Sequence, residues 1–444
     1  MSINLPPSSL PRVVIAGGGF AGLKLAQALD SSLFQIVLID HHNYHQFPPL
    51  IYQVASSGLE PSSIAFPFRA AFKRKKNFIF RLANVIGVEP EQKQLITSVG
   101  EVPYDYLVLA CGGTTNYFGN EQVAKHSLPM KTLYESMNLR NVLLQNIEKA
   151  LVSDNPETRE ALLTVVIVGG GPSGVEIAGA LAEMKRYVLP KDYPYMETDQ
   201  FKIHLIDASP RLLQAMSEKS SRTAAEGLTS LGVEIHHNTM VTDYDGRVLT
   251  LGDGTKMNTR TVIWVSGIVA NTVEGIQAES LGRGKRILVD GYNEVLGVPD
   301  VFALGDQCLM TADPAYPQGH PQMAQVAIQQ AALLAKNLKA RLTGGKQQTF
   351  RYKDLGSMAT IGRNRAVAEI GKAKLGGFTA WLLWLVVHLR SILSVRNKVI
   401  VLLNWIWNYV TYDRSLRLIL KRNVPVDPYQ ARQERLANRD TRVE

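Results

Sequence analysis

The sequence predicts an α/β protein that contains the same strand–turn–helix unit twice and ends in an amphipathic helical tail. The pattern G-x-G-x-x-G occurs twice, each time between an apolar strand and a helical run. A third segment, residues 298–308, holds a short strand that leads into a Gly-Asp pair, and a helix is predicted over 323–337. Beyond residue 376 the chain becomes apolar and carries four of its five tryptophans. At 444 residues it is long enough for two or three domains.

The first unit begins with residues 13–16, an apolar and β-branched run typical of a buried parallel strand. Of the three glycines that follow, the first allows a tight turn and the second lets a pyrophosphate approach the backbone. The third permits close packing of helix and strand. The next strand, 35–39, ends on an acid that can accept hydrogen bonds from an adenosine ribose. The predicted dinucleotide site comprises Gly17, Gly19, Phe20, Ala21, Gly22 and Asp40.

The second unit repeats this order. A strand over 163–168 precedes the glycines at 169, 171 and 174, and the following strand, 202–206, ends on Asp207. Between helix and strand, residues 187–200 are predicted to form an inserted loop, because they contain prolines and polar turn residues. Two such units predict two bound dinucleotides, or one unit that has lost its ligand. Gly305-Asp306 favours the first alternative, since a carboxylate at a strand end suits the ribityl chain of a flavin.

With these motifs the chain resembles the two-dinucleotide-domain flavoproteins, and within them the type II NADH dehydrogenases. The most specific element is A-Q-V-A-I-Q at 324–329, which is similar to the family's A-Q-x-A-x-Q quinone motif. The resemblance implies that hydride passes from NADH to non-covalently bound FAD and two electrons pass to a membrane quinone, without proton pumping. It implies a catalytic set comprising Glu176, Gln325, Gln329 and Lys374.

The same resemblance assigns the nucleotide sites. FAD contacts are expected from the first unit and from His41, His45, Val85, Cys111, Gly305, Asp306, Ala324 and Gln325. NADH contacts are expected from Gly169, Gly171, Gly174, Glu176, Asp207, Ser266 and Gly267. Asp207 should favour NADH over NADPH, because a carboxylate repels a 2′-phosphate, although Arg211 lies four residues further on. The expected FAD domain covers 10–120 and 285–375, the NADH domain 121–284, and the membrane-associated tail 376–444.

The tail contains two apolar segments, 378–389 and 399–410, each too short to span a bilayer. At helical spacing one face of each segment is apolar: Trp381, Leu385, Leu389 and Ile392 in the first, and Val399, Leu402, Ile406 and Tyr409 in the second. Tryptophan with flanking arginine is typical of helices that lie in a membrane interface. Packing on the protein's own core or in a homodimer is the alternative, and both can hold for different faces.

The charge and the cysteine content of the chain argue against nucleic-acid binding and against dithiol redox chemistry. The net charge of +9 accompanies apolar residues rather than a nucleic-acid-binding motif, which favours an anionic membrane surface. No signal peptide is evident, so the cytoplasmic face of the membrane is predicted. The two cysteines, Cys111 and Cys308, form no redox-motif pair, and no metal site is predicted. A sulfide:quinone reductase-like enzyme and an interaction protein that keeps FAD and NADH remain alternatives.

Overall fold

The computed structural model describes residues 3–412 and 416–420, and the basic segment 421–444 lies outside them. The predicted α/β class is confirmed. Its first sheet has five parallel strands in the spatial order Val301–Ala303, Tyr106–Leu109, Arg12–Ala16, Gln35–Asp40 and Phe78–Leu82. The central strands are apolar and buried between their end residues, as expected of parallel strands covered on both faces. The first sheet therefore combines strands from the N-terminal part with one strand from beyond residue 300.

The second sheet has the same architecture and is formed from one continuous stretch of chain. Its five parallel strands follow the order Leu128–Pro129, Thr261–Trp264, Thr164–Val168, Lys202–Ile206 and Val233–His236. In both sheets the strand before the glycine turn lies at the centre and pairs with the strand that ends at the acid. The carboxyl ends of these strands form the edge where α/β proteins bind ligands.

Helices cover both sheets. They are Phe20–Ala28, Ile51–Ala55, Phe68–Ala71, Glu121–His126, Leu133–Leu151, Pro156–Leu163, Pro172–Tyr187, Leu189–Asp192, Glu218–Ser230, Ala324–Thr343, Gly377–Ser391 and Val395–Thr411. The prediction of a plain loop over 187–200 is wrong: the long helix continues to Tyr187, and a short helix, Leu189–Asp192, follows at once. Buried Val188 and Leu189 explain this, since they pack into the core that this helix shares with the second sheet.

Smaller antiparallel sheets connect and extend the two parallel ones. Three-stranded sheets comprise Val85–Glu89, Gln94–Thr97 and Gly100–Pro103; Val241–Tyr244, Val248–Leu251 and Lys256–Asn258; and Ser357–Gly362, Arg365–Ile370 and Ala373–Gly376. Strand pairs comprise Gly113–Thr115 with Ile268–Ala270, Tyr44–Gln46 with Ala65–Pro67, and Ile287–Val289 with Cys308–Met310. The first of these pairs joins segments next to the two parallel sheets.

The C-terminal sheet packs on the helix Pro172–Tyr187 of the second unit, although its residues were expected to belong to the FAD domain. A Cβ on Gly179 of this helix would collide with the carbonyl oxygen of Ile361. The absence of a side chain at Gly179 therefore brings the strand Ser357–Gly362 directly onto the helix backbone. This close approach places the C-terminal segment beside the second glycine turn.

Polar side chains attach the last helix, Val395–Thr411, to the first unit. Asn397 donates to the Ala65 carbonyl (3.1 Å), Trp405 Nε1 donates to Gln53 Oε1 (2.8 Å), and Asn408 Nδ2 donates to a neighbouring loop carbonyl, that of Gly58 (3.1 Å). Asn408, inside the apolar segment 399–410, and Asn397, just before it, thus dock this helix onto the first unit.

The outward faces of both C-terminal helices are apolar and exposed. In the helix Gly377–Ser391 the predicted apolar face turns inward and packs on the core, which leaves Phe378, Leu382 and Val386 outside. In the last helix the predicted face is itself exposed, together with Val395, Leu403, Trp407 and Val410. Among the described residues, every helix is too short or too polar to cross a lipid bilayer.

Candidate active site

The first glycine turn is closed by contacts that only glycine permits. Gly17 has φ +103°, and a Cβ there would meet the carbonyl group of Ala110. A Cβ on Gly22 would collide with the carbonyl oxygen of Gly17. By contrast, a Cβ on Gly19 would face open space, and the helix that follows has no side-chain cap, so its first N–H groups are available to an anion.

The second glycine turn has the same geometry. Gly169 has φ +120°, a Cβ on Gly174 would collide with the Gly169 carbonyl, and a Cβ on Gly171 would face open space. The helix Pro172–Tyr187 also lacks a side-chain cap. Four other helices, which begin away from the glycine turns, are capped by Asn or by hydroxyl side chains. Each predicted pyrophosphate site therefore lies at a helix N-terminus whose first N–H groups are not capped by a side chain.

The acid at the end of each second strand binds its own glycine turn. Asp40 accepts the backbone N–H of Gly18 (2.6 Å) and of His42 (2.7 Å). Asp207 accepts the N–H of Gly170 and of Ser209 (2.6 Å for the latter). A carboxylate has about four acceptor sites, so each acid retains capacity for a ribose hydroxyl. The acids thus fix the turn that their strand faces, a role that the spacing alone did not predict.

Gly305-Asp306 joins the first glycine turn, as expected. The Gly305 N–H donates to Gln330 Oε1 (2.8 Å), and a Cβ on Gly305 would lie near Ala21 and Ala327. Asp306 lies 3.6 Å from the ammonium of Lys131. The helix that begins at Ala324 also has no side-chain cap. Glycine turn, carboxylate and open helix N-terminus converge, and this arrangement fits FAD.

Four other predicted FAD residues lie on the segments around this turn. His45 is buried, its Nδ1 lies 3.0 Å from the Gly18 carbonyl oxygen, and burial lowers its pKa. The Cys111 N–H donates to Gln307 Oε1 (2.6 Å), and burial raises the pKa of its thiol to about 12. His41 is 60% exposed and adjoins Asp40. Val85 begins the strand Val85–Glu89, two residues after Ala83, whose N–H donates to the Asp40 carbonyl.

The expected NADH residues Ser266 and Gly267 lie against the second turn. A Cβ on Gly169 would be 2.9 Å from Ser266 N, and Gly267 has φ +79°. The guanidinium of Arg211 donates to the carbonyls of Met216 and Gln214 (2.8 Å each). Its charge is therefore engaged by the 214–216 segment and is not paired with Asp207.

A cavity of about 370 Å³ lies between the second unit and the C-terminal helices. Glu176 lines it and is only 9% exposed. Burial raises the pKa of Glu176 to about 8, while the Thr360 N–H (3.4 Å) and the nearby Trp384 indole N–H partly offset the shift by favouring the carboxylate. Glu176 is consequently a buried carboxyl group that holds its proton at neutral pH.

The rest of the cavity wall is largely apolar and aromatic. It comprises side chains from both C-terminal helices, together with residues of the Ile51–Ala55 helix and of the helix Pro172–Tyr187. Several of the lining side chains, among them Leu382, Val386 and Ile406, also belong to the exposed apolar faces. The cavity therefore connects the buried carboxyl group of Glu176 with an exposed apolar surface.

The other three predicted catalytic residues lie elsewhere. Gln325 donates to the Gly356 carbonyl (3.0 Å), and its Oε1 accepts the Leu355 N–H (3.2 Å). Gln329 exchanges two hydrogen bonds with the backbone of Lys353 (2.8 and 3.1 Å). Lys374 is exposed and pairs across the hairpin with Glu369, whose carboxylate binds the start of the helix Glu218–Ser230. The structure brings none of these three into the lining of the Glu176 cavity.

Sequence reasoning missed three cavity or cofactor-site residues. Lys131 comes directly before a capping box formed by Thr132 and Glu135, a sequence signal that could have located it. The guanidinium of Arg363 lies 3.9 Å from the ring centres of both Tyr409 and Tyr412. Trp384 was assigned only to the apolar tail, although it is buried beside Glu176. No local spacing indicates these last contacts, because they join distant segments.

Comparison with known families places the chain. Residues 11–331 match the pyridine nucleotide-disulphide oxidoreductase model, and residues 355–412 match the model of the NDH2 C-terminal domain. The Plasmodium falciparum NDH2, solved in complex with NADH, superposes with a TM-score of 0.84 at 21% identity, covering 93% of this chain and all of that chain. The sulfide:quinone oxidoreductase of Aquifex aeolicus gives 0.69 at 18% identity, covering 87% of this chain and 92% of that chain.

Sequence similarity distinguishes between the enzyme families that share this fold. The type II NADH:quinone oxidoreductase Ndh of Mycobacterium tuberculosis is 35% identical over 94% of this chain and 92% of its own length. A second enzyme of that organism, NdhA, is 34% identical over 89% of this chain and 86% of its own length. The two cysteines are unpaired, and burial raises the pKa of both thiols. The chain therefore belongs to the type II NADH:quinone oxidoreductase family.

Proposed function

We propose that this chain oxidises NADH through FAD, reduces a membrane quinone without pumping protons, and uses the Glu176 cavity as its quinone-reducing site. Family membership supports the reaction class. The observation that carries the site assignment is a buried carboxyl group, its pKa raised by burial, in an apolar cavity between two exposed apolar helix faces. A quinone ring and tail are apolar, and reduction of the ring oxygens consumes protons, so both properties of the cavity suit this substrate.

The first glycine turn, Asp40, His45 and Gly305-Asp306 would hold FAD, which supplies two-electron chemistry between hydride donor and quinone when bound. Three features of the chain prepare this site. The uncapped helix N-termini would hold the phosphates, Asp306 would bind ribityl hydroxyls, and the ammonium of Lys131 lies 3.6 Å from Asp306. We assign the FAD domain to 10–120 and 285–375, and the NADH domain to 121–284.

The second glycine turn would hold NADH in preference to NADPH. Asp207 presents a carboxylate where the adenosine ribose of a dinucleotide lies, and it would repel a 2′-phosphate. Arg211, a cation four residues further on that could compensate, is directed to two backbone carbonyls instead. Ser266 and Gly267 complete the wall of this site next to Gly169.

Glu176 holds a proton on its carboxyl group at the inner end of the cavity. A protonated carboxyl can donate to a quinone oxygen as negative charge develops there, and it can then regain a proton from solvent. The apolar wall excludes water and keeps this proton on the acid until a substrate enters. Glu183 lies two turns further along the same helix and also lines the cavity, and its carboxylate accepts the backbone N–H of Arg363.

The exposed apolar helix faces would bind the membrane surface and deliver quinone to the cavity mouth. Their hydrophobic side chains are bordered by exposed Arg390 and Arg396, a combination that suits an anionic interface. We therefore propose peripheral, monotopic attachment, with the cytoplasmic face as the expected side. A homodimer that buries the same faces is the competing arrangement.

A rapid-mixing experiment separates the two half-reactions. NADH reduces the FAD-loaded enzyme in the first, and short-chain ubiquinone or a menaquinone analogue reoxidises it in the second. Glu176→Gln should slow reoxidation by roughly 100-fold, the size of a lost general acid, while reduction by NADH changes little. Slow reduction with normal reoxidation would instead assign Glu176 to the NADH site. The control is Lys24→Gln, at the equivalent position of the first unit. The rate at which NADPH reduces the wild type is also measured and compared with the rate for NADH.

Vesicle flotation tests the membrane surface. Leu403→Asp combined with Val410→Asp changes two exposed side chains that do not line the cavity. We expect this double variant to lose its binding to anionic vesicles and to retain its activity with soluble short-chain quinone. The control is Val152→Asp, an exposed apolar position on another helix end. If the double variant still binds vesicles but changes from dimer to monomer in sedimentation, the faces form a dimer interface instead.

A further inference from the structure

Two neighbouring strands of the second sheet bring His204, Glu234 and His236 together on one face. The strands Lys202–Ile206 and Val233–His236 are parallel, with His204 opposite Glu234 and Ile206 opposite His236. Alternate residues of a strand share a face, so all three side chains project to the same side. Ile206 on that side belongs to a hydrophobic cluster, and the three polar side chains lie beside it at the sheet edge.

The donor atoms of these side chains have the separations of a metal coordination shell. His204 Nδ1 lies 3.2 Å from His236 Nε2 and 3.4 Å from Glu234 Oε2, and donor atoms of all three lie within 4.8 Å of one another. Tetrahedral Zn²⁺ with bonds of about 2.0–2.1 Å holds its ligand atoms about 3.4 Å apart. The three groups can therefore bind one ion with little rearrangement.

We propose that His204, Glu234 and His236 form a binding site for a divalent transition metal ion, with Zn²⁺ as the representative ion. Two imidazoles and a carboxylate are a borderline donor set that suits zinc. His204 is buried, with 9% of its side chain exposed, whereas Glu234 is 61% exposed. The buried imidazole fixes one ligand, and the open side admits the ion and a water molecule as fourth ligand.

The surrounding charges support this site. The nearest strand cation, Lys202, forms an ion pair with Glu160 (2.6 Å), which engages its ammonium group. A second group of possible ligands, Asp40 with His41 and His42, is less suited. Its histidines lie 3.8 and 3.9 Å from a carboxylate whose two oxygens already accept backbone N–H groups. The edge of the second sheet is thus the better preorganised of the two.

The site adjoins the second glycine turn but shares no side chain with it. The carbonyl of His236 accepts the backbone N–H of Asp207 (2.9 Å), and the donor side chains project from the sheet face. The metal site is also separate from the Glu176 cavity, which none of its residues line. Metal binding can therefore be measured without relying on the oxidoreductase reaction.

The test is calorimetric titration of Zn²⁺ into FAD-loaded protein that carries no histidine tag, in buffer free of chelators. We expect one ion per chain for the wild type. His236→Gln and Glu234→Gln should each weaken binding by about tenfold or more, because each removes a ligand. Co²⁺ should give the intense visible absorption of a tetrahedral site in the wild type and lose it in both variants.

His126→Gln is the matched control, because it removes a histidine of the same domain outside the cluster and should bind Zn²⁺ as the wild type does. FAD content and the unfolding temperature without metal establish that each variant folds. If His236→Gln does not fold, Glu234→Gln still tests the site, because it changes an exposed side chain. Absence of stoichiometric Zn²⁺ binding by the wild type would overturn the proposal and leave a hydrogen bond between two imidazoles. Equal binding by wild type and both cluster variants would overturn it as well.

Discussion

The two glycine turns have nearly the same backbone but differ in what covers the helix that follows. In each turn the first glycine has a positive φ, the second faces open space, and the third contacts the first. In each, an acid from the neighbouring strand binds the N–H of the middle residue. The glycine pattern and the strand-end acid together thus give both units the same turn, which is the geometry suited to a dinucleotide pyrophosphate.

The difference appears two residues after the third glycine. That position is Lys24 in the first unit, where it is partly exposed, and Glu176 in the second, where it is buried in the cavity. The first helix packs on Ala324–Thr343, whereas the second packs under the C-terminal sheet and shares a cavity with the C-terminal helices. Equivalent turns can thus be followed by different side chains, and the segment that covers the helix determines whether the side chain two residues after the turn is buried.

The largest effects should come from breaking the turns themselves. Gly22→Ala and Gly174→Ala each place a methyl group against a backbone carbonyl, which costs about 1–3 kcal/mol in a site that cannot relax. We expect Gly22→Ala to be purified without FAD. Gly174→Ala should keep FAD and weaken NADH binding by one to two orders of magnitude, measured by fluorescence titration.

Gly19→Ala is the control for this experiment. Its methyl group would face open space in the protein and would meet only the bound pyrophosphate. The variant should therefore unfold at the same temperature as the wild type when both lack FAD, yet bind FAD more weakly. Equal destabilisation of the FAD-free Gly19→Ala and Gly22→Ala proteins would contradict the separate roles of the two glycines.

The buried acid should next distinguish the units by pH. The pKa of Glu176 is about 8 in the folded protein and 4.5 when unfolded, so the folded state binds the proton more tightly. Its contribution to stability is complete below pH 4.5 and is lost as the pH rises toward 8, by about 1 kcal/mol per pH unit. Glu176→Gln lacks this slope. Denaturant unfolding should therefore show that the free energy of unfolding of the variant rises relative to that of the wild type between pH 5 and pH 8. Lys24→Gln should show no such gain, and parallel curves for wild type and Glu176→Gln would refute the buried acid.

The sequence predicts the local elements of this comparison better than the distant ones. Both turns, the acids at the strand ends and the tail helices follow from short-range patterns and lie where the sequence predicts them. The burial of Glu176 does not follow, since it depends on a strand some 180 residues further along the chain. Gln325 and Gln329 show the converse: the motif is present, but its amides bind the backbone near Lys353. The cluster of His204, Glu234 and His236 could not be predicted, because these residues lie on two strands whose separation in sequence follows no metal-binding motif.

A smaller effect should follow from loosening the segment that covers the second unit. Arg363 packs between two tyrosine rings and donates to the Tyr409 carbonyl. Arg363→Met removes cation–π contacts worth about 1 kcal/mol each. We expect the KM for quinone to rise several-fold and hydrogen exchange in the last helix to accelerate, with NADH reduction unchanged. Arg365→Met, an exposed neighbour on the same hairpin, is the control and should leave both measurements as in the wild type.

The smallest effect is expected from the helix that covers the first unit. Gln329 connects this helix to the backbone of Lys353 by two hydrogen bonds at a partly exposed position. Gln329→Ala should lower the free energy of unfolding by about 1 kcal/mol, because each such bond contributes modestly against water. Quinone turnover should stay within about twofold of the wild type. A large loss of turnover with unchanged stability would instead place the quinone at the A-Q-x-A-x-Q motif. The helix that covers the first unit, and not the segment that covers the second, would then take part in quinone reduction.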